Sequence, residues 1–489
     1  MPFTSLEYLL FLTTVYLVYF FVGERFRWGV LLAASYIFYA TWKVPYLLAV
    51  ITLVSLTTYG FGIWIDQATS ARAKRYLLWA GIAANVMILV VMKYLPFLSE
   101  NLKSLSTLLS VDTQFQPIKA FATIGVSYYI FQAISYLFDI YLEIEKPEHH
   151  LGYFALYLAF FPKLLQGPIE RAGELLPQLK NLKKCDVYQL RSGLFLIIIG
   201  LFKKIVIADR IGIFVNPVFA NVHNFSGMNL LIATYAYAFQ IYFDFSGYTD
   251  MALGCAQLFN INLTQNFNSP YLARSVAEFW RRWHISFSRW ILDYIFKPLQ
   301  MQWRNWKNWG TALALLFAFL ISGIWHGASW GFVIWGGLHG LYLACSVFYK
   351  PYQKKLHKFF RAEKTSILKV WQIIVTFNLI CLAWIFFRAN TVRDAWYIIT
   401  HLFTGSFTTS SIAYDIEIMS ESGSMKQELL VLVISLGLWL ASARIGHKKI
   451  LDKIINMSCW LRFSLYYAIV MYLLLFGYFT KQSFAYVRF

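Results

Sequence analysis

From its first residues to its last, this 489-residue chain is a succession of apolar runs. Each run is long enough to cross a hydrocarbon core of roughly 30 Å as a helix. Inside lipid, every backbone N–H and C=O has to be satisfied within its own helix or within a closed barrel. Nothing in the chain shows the ten-residue alternation of a membrane barrel, so the runs have to be helices. Charge agrees with this: 14% of residues are charged, where a soluble chain carries nearer 25%. The fold class is therefore an all-α polytopic membrane protein, with about 11–13 transmembrane helices expected.

The 43 basic and 24 acidic residues leave a net charge of +19. In a soluble protein that excess would point to nucleic acid. Here the basic residues cluster in short loops, and the positive-inside rule accounts for them. No Arg-rich arm or aromatic RNA-binding motif appears, so no nucleic-acid partner is expected. The 18 Trp and 32 Tyr suit interfacial belts and an aromatic-lined cavity. Cys185, Cys255, Cys345, Cys381 and Cys459 stand alone, without a C-x-x-C, and read as small core residues, not a disulfide frame or metal site. The run Leu6–Val22 has no basic n-region or clear cleavage site and reads as a first membrane helix, not a removed signal.

Crossings are expected at about 5–22, 28–42, 45–65, 76–95, 120–142, 188–208, 229–250, 310–325, 328–347, 370–387, 428–443 and 463–480. Arg25, Arg27, Arg72, Lys74 and Arg75, the basic stretch Lys350–Lys369 and Arg444–Arg462 mark cytoplasmic loops, which puts both termini outside. The stretch 96–119, and 388–425 with Asp415, Glu417 and Glu421 at its tip, then read as outer loops. Lys203, Lys204 and Arg210 fall on the wrong side of this count.

Some stretches are too polar for lipid. Ser127, Gln132, Ser135 and Asp139 in the crossing at 120–142 need protein or water on one face. Within Tyr153–Leu179, prolines 162, 168 and 177 interrupt an apolar run, with Lys163, Gln166, Glu170 and Arg171 at the break. Such a segment is either re-entrant, buried in protein or lining a wet cavity, or a surface loop. Asp244, Ser246 and Asp250 sit near the end of another crossing, as charge partners of nearby Lys or Arg or as substrate contacts. Ser275–Leu299 reads as one amphipathic interfacial helix: Glu278, Arg282, Ser286, Arg289, Asp293 and Lys297 form a polar stripe opposite Trp280, Trp283, Phe287, Ile291 and Tyr294. His284 falls on the apolar side and points inward.

The stretch Ile321–Gly340, ISGIWHGASWGFVIWGGLHG, places His326 and His339 within apolar sequence. An ionisable ring at membrane depth is costly to keep and is a candidate for function. The bland reading is a packed, hydrogen-bonded core histidine. Gly323, Gly327 and Gly331 recur every fourth residue, a bare helical face for close approach. Gly327, Ser329 and Gly331 also match the nucleophile-elbow pattern, which needs a strand before its turn. Helical flanks make that match a coincidence.

Five stretches, in order between Gly125 and Trp330, resemble the membrane-bound O-acyltransferase superfamily and its bacterial alginate O-acetylation branch. They are GVSYYIFQAISYLFDIY (Gly125–Tyr141), FPKLLQGPIER (Phe161–Arg171), FDFSGYTDMALG (Phe243–Gly254), EFWRRWHISFSRWILDYIFKPL (Glu278–Leu299) and SGIWHGASW (Ser322–Trp330). The resemblance implies one membrane-embedded domain over 1–489, with a family-like core at 120–347 and peripheral helices at 1–119 and 370–489 around a central tunnel. It implies acyl transfer with His326, in the W-H-G motif, and His284, in the R-W-H motif, as catalytic residues. Trp325, Trp283, Gln166, Arg171, Asp244, Ser246, Asp250, Arg281 and Arg282 are the candidate tunnel and substrate contacts, with Arg281, Arg282 and Lys297 toward coenzyme A phosphates. The implied donor is a cytosolic thioester, acetyl-CoA, used as substrate with no resident cofactor or metal. The implied partners are an exported serine-esterase-like protein and polysaccharide synthesis machinery, in the bacterial inner membrane and its lipid. The acceptor would be an extracytoplasmic polysaccharide such as alginate. Peptidoglycan or teichoic acid acylation, or lipid or glycan transport along Asp139, Asp244, Asp250 and Arg171, are the alternatives. Two departures stand out: Lys163 within FPKL, and the tail SFAYVRF.

Overall fold

A computed structural model describes residues 1–110, 116–118, 121–182, 186–225, 227–359, 365–404 and 425–479. Among the described residues every regular element is helical. Seven helices there are long and apolar enough to cross a membrane: Tyr46–Gln67, Ala71–Leu108, Arg304–His326, Trp330–Lys355, Ser366–Arg388, Gln427–Ile445 and Cys459–Phe476. The chain is a multi-pass membrane protein. The other expected crossings are shorter helices, such as Leu6–Phe21 and Arg27–Ala40, or helices with charge inside the protein.

Two helices make the centre. Val126–Tyr141 is buried along nearly its whole length, including Ser127, Gln132, Ser135 and Asp139. Its polar groups therefore meet protein, as lipid exclusion requires. Met228–Gln257, 30 residues long, is likewise mostly buried. A hairpin of Lys307–His326 and Trp330–Phe359 packs beside them. Its two backbones touch at Gly323 and Gly336: a Cβ on Gly336 would lie 2.4 Å from the Phe319 carbonyl oxygen and 2.9 Å from the Gly323 Cα. The three glycines do not share one helical face, however. The first helix ends at His326, Gly327 is extended, and Gly331 belongs to the second helix. No strand precedes Ser329, so no nucleophile elbow forms.

The broken segment at 160–171 is buried through Glu170, which settles it as interior and not a surface loop. Its backbone is satisfied partly by distant side chains, Phe161 N–H donating to Ser35 Oγ (3.1 Å) and Ile169 N–H to Ser286 Oγ (3.0 Å). Irregular backbone at membrane depth persists only with such partners.

Four further expectations need correction. Lys203, Lys204 and Arg210 are not loop residues. The helix from Val187 runs through a π-helical turn at Phe202–Ala208 into Asp209–Ala220, and all three side chains are buried. Lys203 pairs with Asp250 (2.6 Å), Lys204 with both Asp209 and Asp244 (2.7 Å each), and Arg210 with Glu428 and the Phe476 carbonyl. Paired interior cations carry no topological information, so their conflict with the loop count disappears. Second, 96–119 is no simple loop: the helix from Ala71 continues through a π-turn at Val90–Tyr94 to Leu108. Third, Ser275–Leu299 is not one helix. It breaks at His284 into Val276–Arg282 and Ile285–Ile291, followed by a π-turn, so the polar stripe is interrupted and Ser286 is buried. Fourth, Cys255 and Cys381 are core residues, but Cys345 and Cys459 are exposed. Cys185, the acidic tip at Asp415, Glu417 and Glu421 and the tail SFAYVRF lie outside the described residues.

Candidate active site in the helical core

His284 occupies a left-handed backbone position, φ 44° and ψ 56°, between two short helices. Such a conformation is uncommon for a residue with a side chain and needs support from its surroundings. Asn266 supplies much of it. Its carbonyl accepts from Ile285 N–H (3.0 Å), and its side-chain oxygen accepts from Ser286 N–H (3.1 Å) and Ser286 Oγ (2.7 Å). The break turns the imidazole into the core, where it is fully buried. Phe245 meets the ring edge-on at 4.8 Å, Phe287 lies at 5.0 Å and Tyr128 stacks at 6.3 Å. Neither ring nitrogen is hydrogen-bonded to a described residue.

His326 is the last residue of its helix, 4% exposed. Trp325, Trp335, Phe287 and Phe387 surround it at 4.7, 4.8, 5.4 and 5.5 Å. Phe287 and Trp325 touch both histidines. The two imidazoles are thus separated by no more than the two Phe287 distances laid end to end. Residues 42 positions apart meet in one aromatic cage.

Buried polar atoms without a hydrogen-bond partner among the described residues include Tyr128 Oη and Trp325 Nε1 on rings of the cage itself, Ser322 Oγ one helical turn before His326, Ser246 Oγ next in sequence to Phe245, and both amide atoms of Gln166 in the buried segment at 160–171. Buried polar groups in proteins are almost always paired, with protein or with water. Unpaired polar atoms beside two histidines are groups that water or a substrate can satisfy.

The other candidates go elsewhere. Trp283 turns away from His284 and packs on Phe267 (5.1 Å), Trp384 (5.2 Å) and Phe279 (5.5 Å). Arg171 pairs with Asp293 (3.2 Å) and lies over the Tyr294 ring, whose hydroxyl donates to Asp139 (2.6 Å). Asp244 and Asp250 are held in the lysine pairs above. Arg282 binds Glu278 (2.8 Å), and Arg281 is exposed. Sequence reasoning missed Tyr128, Phe287 and Ser322. A serine four residues before His326 was a readable signal for the last, since i and i+4 share a helical face. His339, flagged for its depth, accepts from Trp280 Nε1 at 3.2 Å and anchors the helix preceding His284.

A chamber of about 800 Å³ lies next to the cage. Lys203, Asp250, Asn266, Phe267, Trp439 and Lys449 are among its walls; neither histidine lines it. Phe267 packs against Phe245 (5.1 Å), and Phe245 against His284 (4.8 Å), so two aromatic rings in series lie between the chamber and His284.

Residues 34–388 match the MBOAT, membrane-bound O-acyltransferase family. A peptidoglycan O-acetyltransferase of Helicobacter pylori is 36% identical over 75% of this chain and 71% of its own length. A probable alginate O-acetylase of Pseudomonas aeruginosa is 34% identical over 81% of this chain and 74% of its own. A teichoic acid D-alanyltransferase of Bacillus subtilis is 29% identical over 64% and 78% respectively. These relatives all transfer an acyl group, and this multi-pass chain belongs to the membrane-bound O-acyltransferase family as an acyltransferase.

Proposed function

We propose that the protein takes an acetyl group from acetyl-CoA on the cytoplasmic side of the bacterial inner membrane and passes it toward a hydroxyl of an extracytoplasmic polysaccharide of the alginate type. The observation that carries this reading is the pair of buried imidazoles, His284 and His326, sharing Phe287 and Trp325 amid unpaired polar atoms. In this reading both termini face outward, following the basic loops.

The chemistry runs through two roles. His326 takes the proton of the acceptor hydroxyl as its oxygen attacks the thioester carbonyl, forming the C–O bond. His284, as a neutral imidazole, donates its N–H to the oxygen that gains charge. The tetrahedral adduct then collapses, the C–S bond breaks, and the departing thiolate recovers the proton from His326. Gln166, Ser246 and Trp325 line the passage. The chamber receives the donor, with Lys449 on its wall toward the phosphates. The acceptor hydroxyl in this step then belongs to an exported serine-esterase-like partner, which, working with the polysaccharide synthesis machinery, hands the acetyl group on to the polysaccharide.

The test uses inverted membrane vesicles from the protein's own cells, which present the cytoplasmic face to radiolabelled acetyl-CoA. His326→Ala should lower transfer by roughly 10²-fold or more with the protein still present. Full activity in that variant refutes the base assignment. The 36% identity to the Helicobacter enzyme favours peptidoglycan as a second acceptor. Alkali-labile label in isolated cell wall, and none in exopolysaccharide, would select it.

A further inference from the structure

The geometry points to Lys93 as a positioning residue that fixes His326 by capping the helix end on which it sits. This rests on the reading of His326 as the base.

The last four carbonyls of an α-helix have no partner within the helix. At membrane depth no bulk water is available to meet them. Here the four belong to Gly323, Ile324, Trp325 and His326. Gly327 N–H donates to the Gly323 carbonyl at 3.4 Å. Tyr94 Oη donates to Ile324 O at 3.0 Å. Lys93 Nζ donates to Trp325 O at 2.6 Å and to His326 O at 3.1 Å. Every orphan is thus met, three of the four by two adjacent residues from a helix more than 200 positions earlier.

Lys93 is itself unusual. It lies mid-run in the apolar helix Ala71–Leu108, and no carboxylate pairs with it among the described residues. An intramembrane cation without a carboxylate calls for another source of negative charge. The carbonyl end of a helix is that source, since its aligned peptide dipoles leave partial negative charge there. The interaction is mutual: the helix end holds the ammonium, and the ammonium holds the helix end.

The π-turn at Val90–Tyr94 is what aims the pair. A π-turn contains an extra residue, and such turns recur at functional sites. Without it, the residues beyond would swing by roughly 100° about the helix axis. Lys93 and Tyr94 would then miss the neighbouring helix.

Because Lys93 grips the carbonyl of His326 itself, it locates the catalytic residue's backbone without touching substrate. In the vesicle assay, Lys93→Met should lower kcat by roughly 10²-fold, the cost of an ångström-scale displacement, with half-saturating acetyl-CoA unchanged. Lys93→Arg, which keeps charge and donors, should restore at least a tenth of the wild-type rate. If Lys93→Met does not accumulate, Tyr94→Phe decides: it removes one cap and should slow turnover several-fold at constant half-saturation. Turnover within twofold of wild type in Lys93→Met, or in Tyr94→Phe when that variant decides, overturns the inference. So does a fall in Lys93→Met expressed wholly as weaker donor saturation. His326→Ala is measured in parallel. If it is inactive while Lys93→Met is fully active, only the role of Lys93 fails; if it is active, the base assignment fails.

Discussion

Two neighbouring glycines give a sharp test of how the hairpin places His326. A methyl added at Gly336 would sit 2.4 Å from the Phe319 carbonyl oxygen and 2.9 Å from the Gly323 Cα, where ordinary contact begins at 3.4 Å. The shortfall at the oxygen is about 1 Å, and both obstacles are backbone, which cannot swing aside as a flexible side chain would. Gly336→Ala therefore forces the two helices apart by about that much. Overpacking of this kind costs about 1–3 kcal/mol. Gly323 lies one helical turn before His326, so the displacement reaches the site, where 1 Å is worth roughly 10²-fold in rate. The adjacent Gly337 is the matched control. There the nearest atom to an added methyl is Leu320 Cδ2 at 3.6 Å, an ordinary contact. Gly337→Ala should leave transfer unchanged and raise stability by up to about 1 kcal/mol through helix propensity. Acetyl transfer in inverted vesicles and thermal unfolding in detergent read both effects. Equal rates and equal unfolding temperatures for the two variants would refute the close-approach argument.

Ser286→Ala removes the hydroxyl that joins Ile169 N–H to Asn266, and should destabilise the fold by about 1–3 kcal/mol while also slowing transfer, because the same contacts hold the His284 break. Tyr294→Phe strips Asp139 of its 2.6 Å donor; it should lower the unfolding temperature by a similar free energy, yet leave transfer per folded molecule unchanged. A selective loss of transfer there would move Asp139 and Arg171 into the active site. Asn268→Cys, in a background with all five native cysteines replaced, places a thiol on the chamber wall. An impermeant maleimide added to inverted vesicles should label it, and acetyl-CoA should slow the labelling; labelling only from the opposite face would reverse the proposed donor route.

Much of the fold class was readable because lipid leaves few options: long apolar runs have to be helices, although only seven of the twelve expected crossings are full-length apolar helices among the described residues. The inward direction of His284 was readable too, from the apolar side of its wheel. What the wheel did not reveal is the break at His284, since a break changes neither composition nor period. It arises from Asn266, on a loop whose approach no local pattern encodes. Lys203, Lys204 and Arg210 misled for a related reason. A loop rule counts cations without knowing their partners, and those partners, Asp250, Asp244, Asp209 and Glu428, come mostly from other helices. Lys93 was passed over because it belongs to an otherwise apolar run, and only the tertiary arrangement brings it to the end of another helix. The cage itself depended on Phe287 and Tyr128, ordinary aromatics in a chain where 19% of residues are aromatic.

The left-handed torsions at His284 have a practical corollary for anyone probing the R-W-H motif. An alanine there loses the imidazole and still has to hold a conformation that disfavours any Cβ, so its phenotype mixes chemistry with about 1–2 kcal/mol of backbone tension. Glycine relieves the tension and asparagine tolerates it, so either one isolates the missing ring. A His284→Gly protein that melts no lower than its parent, yet transfers nothing, would separate the scaffold's need for a bend from the reaction's need for an imidazole.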